Sequence, residues 1–113
     1  MAVITKPTVR FGGFTWALCT ILDTLLWCDA HPSSSQPANL VIPAASDGTH
    51  KDSSRHYSFE ALDVRSKSFA SHEAKVAFVM RLKAELGQNF TVLFENEGQA
   101  QEHFHIQYRK KAA

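Results

Sequence analysis

A chain of 113 residues can build one sizeable core but not two, so a single domain over residues 1–113 is expected. Hydrophobic residues at 44% and charged residues at 20% are those of an ordinary globular protein. A net charge of +1 gives no electrostatic basis for nucleic acid or an anionic membrane surface as the main partner.

Near the N-terminus, Lys6 and Arg10 precede the run "FGGFTWALCTILDTLLWCDA", which has the basic and apolar regions of a signal peptide. Asp23, Thr15, Thr20 and Thr24 interrupt that run, unlike a clean apolar region or a membrane span. Leu18, Ile21, Leu22 and Leu25 instead mark one face of an amphipathic helix, with Thr20, Asp23 and Thr24 towards solvent. Cys19 and Cys28 fall in this helix, about 13 Å apart along its axis and too far for a disulfide, and read as buried thiols. "HPSSSQPAN" is a loop by its prolines and serines, and "LVIPAA" a short buried strand. "SDGTHKDSSRHYS" is a polar, histidine-bearing loop with a turn at Asp47-Gly48. "EALDVRS" alternates, with Ala61, Asp63 and Arg65 on one face and Leu62 and Val64 on the other. "SHEAKVAFVMRLKAELG" is a second helix, capped by Ser71 and stopped by Gly87, with Val76, Val79, Leu82 and Leu86 along one side. "NFTVLFE" places Phe90, Val92 and Phe94 on one face of a strand. Two helices with three or four short strands indicate an α+β fold with a small, mainly antiparallel sheet.

The last strand, "EHFHIQY", puts Phe104, Ile106 and Tyr108 on one face and His103, His105 and Gln107 on the other. The first face reads as core. The second carries two imidazoles, which suit a metal or a proton-transfer site, although HxH alone is not specific. Asp63 lies on a strand face of its own between apolar neighbours, and His56 stands seven residues before it. His56, Asp63 and a histidine from the last strand make a three-donor set of the kind that holds catalytic zinc and leaves a fourth position for water. Glu102, three residues before His105, is the candidate general base, provided that the chain is not yet extended there. Glu95 and Glu97 compete for that role but read as solvated loop charges.

"SRHYSFEALDVRS" resembles the SxHxxGxAxD motif of the M15 zinc peptidases, the D-alanyl-D-alanine carboxypeptidase and L-alanyl-D-glutamate endopeptidase family. The longer run "SDGTHKDSSRHYSFEALDVR" is similar to the form found in small phage-type members, and "EHFHIQY" to the family's closing D/E-x-x-H strand. The resemblance covers residues 38 to 109, and the opening helix also looks like that of short members. It implies a Hedgehog/DD-peptidase-like fold, with Zn2+ held by His56, Asp63 and His105 and Glu102 as catalytic base. His103 would sit beside the metal and contact substrate or the oxyanion. Ser54 matches the motif serine, His50 matches the phage-type pattern at the cleft, and Arg65 would hold a substrate carboxylate. The motif glycine is replaced by Phe59, a departure that bears on the shape of the cleft.

The implied activity is hydrolysis of the peptide stem of bacterial peptidoglycan by a monomeric phage or prophage enzyme acting on the cell wall. The alternative is a non-catalytic zinc-binding domain of the same fold with a structural or virion role. A cupin-type barrel also uses HxH, but it needs a glutamate and further strands after that motif, and here eight residues follow His105.

Overall fold

A computed structural model describes residues 2–7, 9, 11, 15–45 and 60–109. The expected helices form where the caps placed them. Helix α1 (Trp16–Ala30) starts at Thr15, whose hydroxyl accepts a hydrogen bond from the Leu18 N–H at 3.1 Å. Helix α2 (His72–Leu86) starts at Ser71, which accepts from the Ala74 N–H, and ends at Gly87, whose positive φ of 80° releases the chain from the helix. No described helix is long and apolar enough to cross a membrane.

Among the described residues five strands accompany them: β1 (Ala2–Thr5), β2 (Asn39–Ile42), β3 (Ala61–Arg65), β4 (Phe90–Glu95) and β5 (His103–Tyr108). Strands β3, β5 and β4 form an antiparallel sheet with β5 in the centre, while β1 pairs with β2 in parallel. An antiparallel bridge from Ala44 to Asp63, carried by the Asp63 N–H donating to the Ala44 carbonyl at 2.9 Å, joins the two sheets. The Cα radius of gyration is 13.2 Å, against about 13 Å expected for a compact domain of this length.

Three sequence expectations are corrected here. Strand β2 stops at Ile42, before Pro43, and is shorter than "LVIPAA". Cys28 is buried, but Cys19 faces out of α1 and is exposed. On α2 the buried stripe is Ala74, Phe78 and Leu82, spaced four apart, whereas Val76 lies on the solvent side. The larger Phe78 ring sets the phase of the helix against the sheet.

That ring belongs to the cluster that seats β5. Phe104 is fully buried, with Phe69, Phe78 and Phe94 ring centroids at 5.3, 5.3 and 5.4 Å. Such pairs contribute about 0.5–1.5 kcal/mol each beyond their burial. Phe104 alternates with His103 and His105, so locking its ring inward fixes both imidazoles on the opposite face. Truncating Phe104 to alanine would cost about 3–5 kcal/mol and loosen that arrangement.

Candidate metal centre

The sheet face away from the aromatic core is built in register rows. Asp63 on β3, His105 on β5 and Leu93 on β4 are partners in one row, and Arg65, His103 and Glu95 in the next. Direct partners in an antiparallel pair hold their Cβ atoms about 5 Å apart, close enough for side-chain tips to meet. His105 Nδ1 accordingly lies 2.8 Å from Asp63 Oδ1, and His103 Nε2 lies 3.1 Å from Glu95 Oε1. His103 Nε2 is also 3.8 Å from Asp63 Oδ1, which makes a diagonal contact between the rows.

Asp63, His103 and His105 thus bring one carboxylate oxygen and two ring nitrogens within 4.8 Å of one another. Tetrahedral zinc with bonds near 2.0–2.2 Å needs donors about 3.4 Å apart. The observed separations of 2.8 and 3.8 Å lie on either side of that value. These three residues could hold a metal ion. Asp63 is 8% exposed, so its charge is costly unless matched by a cation.

Protonation answers that need in the metal-free protein. Burial pulls the His105 pKa down, but the hydrogen bonds to Asp63 and Gln107, with the charges of Asp63 and Glu95, outweigh it and leave the pKa raised. Its Nε2 lies 2.8 Å from Gln107 Oε1, so both ring nitrogens face oxygen, the arrangement of an imidazolium. A metal ion would replace that proton as the cation beside Asp63.

Glu102 immediately precedes β5 and is buried. Its Oε2 accepts the Gly98 N–H at 2.8 Å, while Oε1 accepts the Ser66 hydroxyl at 2.5 Å and the Lys75 ammonium at 2.9 Å. These partners, led by the Gly98 N–H, push its pKa down to about 2. The carboxylate is therefore ionised at neutral pH. Among the described residues Oε2 accepts only the Gly98 bond and keeps a lone pair for a further proton donor.

The structure brings together Asp63, His103 and His105, with Glu102 and Arg65 lining the cleft beside them. His50, Ser54, His56 and Phe59 lie outside the described residues. His103, expected beside the metal, lies in one group with Asp63 and His105. Ser66 and Lys75, the anchors of Glu102, had no signal in the sequence, because they lie 36 and 27 positions from the residue they hold. Glu97 is exposed after β4, in keeping with its reading as a solvated loop charge, whereas Glu95 ends β4 and contacts His103. No family model and no curated protein matches the chain.

Proposed function

We propose that this chain is a zinc-dependent peptidase that cuts the peptide stem of bacterial peptidoglycan. The observation that supports it most is the 2.8 Å contact of Asp63 with His105. Those residues are separated by 42 positions and belong to the two motif segments that resemble the M15 peptidases. A Hedgehog/DD-peptidase-like arrangement of the sheet and helices is part of the same proposal.

In this reading Asp63 and His105 hold the ion, with His103 as the third donor among the described residues and His56 as the one that the resemblance implies. A zinc ion bound there would supply Lewis acidity for activating water. Glu102 accepts the proton from the attacking water through its open lone pair and returns it to the departing amine. Lys75 and Ser66 keep its carboxylate oriented and ionised. Glu95, hydrogen-bonded to His103 on the rim of the same face, is the competing carboxylate.

Mass spectrometry of bacterial sacculi treated with the purified protein tests the proposal. Loss of terminal D-alanine, or separation of L-alanine from D-glutamate, is the expected product pattern. Zinc binding without any stem cleavage would favour the non-catalytic domain, and release of reducing sugar ends alone would indicate glycosidic chemistry.

A further inference from the structure

The His105 ring is held at both of its nitrogens. Nδ1 lies 2.8 Å from Asp63 Oδ1 across the sheet, and Nε2 lies 2.8 Å from Gln107 Oε1 along the same strand. Alternation on β5 puts residues 105 and 107 on one face, about 7 Å apart, within reach of a glutamine laid along the strand. The register row of Gln107 leaves room for that, since its partners are Ala61 on β3 and Thr91 on β4, both small. An amide oxygen can only accept, so Nε2 carries a proton and donates it to Gln107.

That bond decides which nitrogen is left for a metal ion. A histidine ligand must offer a bare ring nitrogen, and with Nε2–H committed to Gln107 the one remaining is Nδ1. Nδ1 is also the nitrogen beside Asp63, whose Oδ1 lies 3.8 Å from His103 Nε2. Turning the ring to present Nε2 would break the Gln107 bond and carry the ligating atom away from the other two donors. Histidines that bind metals commonly donate the second ring N–H to an oxygen, which fixes both tautomer and ring direction.

We propose that Gln107 is a positioning residue of the metal centre, holding the Nε2–H of His105 so that Nδ1 is presented alongside Asp63 and His103. The proposal rests on the metal-binding part of the peptidase reading and is independent of the bond that is cut.

The test measures zinc affinity, by competition with a chromophoric chelator, for the wild-type chain, Gln107→Leu and Gln107→Glu. Far-ultraviolet spectra check folding, and long-range 1H–15N NMR of the zinc-loaded protein reads each ring nitrogen of His105. Gln107→Leu should bind zinc about 10–100-fold more weakly, the usual cost of losing such a partner. Gln107→Glu should bind at least as tightly as wild type, because a carboxylate accepts the same N–H. The NMR spectrum should show the His105 proton on Nε2 and none on Nδ1. Unchanged affinity in Gln107→Leu, a proton on Nδ1 in the zinc-loaded chain, or a wild-type chain that takes up no zinc would each overturn the proposal. Should Gln107→Leu fail to fold, the ring spectrum of the wild type and the affinity of Gln107→Glu still decide it. Stem cleavage with zinc on Nε2 would leave the peptidase reading standing and remove the role of Gln107. The expected spectrum and affinities without stem cleavage would do the reverse.

Discussion

His105 Nδ1 and Asp63 Oδ1 meet at 2.8 Å because β3 and β5 pair these two residues directly across the antiparallel ladder. A proton or a metal ion can satisfy the same carboxylate, so the two compete. The pKa of His105 is raised above its ordinary 6.5 in the metal-free protein, and metal binding must displace that proton. Zinc affinity should therefore fall as pH drops through the raised value, seen by calorimetry at pH 8 and pH 6. Without metal the sign reverses. A raised pKa contributes stability that is fully present below pH 6.5 and is lost as pH rises through the folded-state value. Chelator-treated protein should thus lose stability between pH 6 and pH 8, and His105→Gln should remove most of that loss.

Glu102 gives the opposite pH signature. Its pKa is lowered from 4.5 to about 2. The stability it contributes is present above pH 4.5 and is lost as pH falls towards 2. Glu102→Gln should cost about 1–3 kcal/mol at pH 7, since charge-assisted hydrogen bonds from Ser66, Gly98 and Lys75 are weakened. Urea unfolding at pH 7 and pH 2 checks this, with the gap between variant and wild type shrinking at the lower pH.

In the proposed peptidase, the rate of stem cleavage would distinguish Glu102 from Glu95. Glu102→Gln should retain zinc and lose about 10²–10⁴-fold in rate, the usual contribution of a general acid–base group. Glu95→Gln should keep most of its activity, because Glu95 contacts the site as a hydrogen-bond partner of His103 Nε2, the nitrogen that also faces Asp63, and an amide oxygen can still accept there. A Glu95 variant that is inactive beside a Glu102 variant near the wild-type rate would move the base to Glu95.

Much of this arrangement was legible in the sequence because it follows from periodicity. The alternation of His103, Phe104, His105 and Ile106 placed the imidazoles opposite the core, and Ser71 and Gly87 bounded α2 correctly. Strand β1 was not legible, since four residues carry too short a pattern and their pairing with β2 spans more than thirty positions. On α2 Leu82 is buried and Val79 and Leu86 pack against the core as expected, but Val76 was placed on that side because Val76 and Phe78 are both apolar and only packing against Phe104 and Phe69 decides between them. The Ser66–Glu102–Lys75 network is a product of tertiary contact. No local spacing marks it.

The most direct test of the central claim is the zinc content of the purified wild-type chain and of His105→Ala, determined by elemental analysis without added metal or chelator. We expect about one zinc per wild-type chain and almost none in His105→Ala, since Asp63 then loses its register partner in the donor set. Full zinc retention by a folded His105→Ala protein, or a wild-type chain that binds no zinc when it is supplied, would contradict the metal centre and the peptidase mechanism built on it.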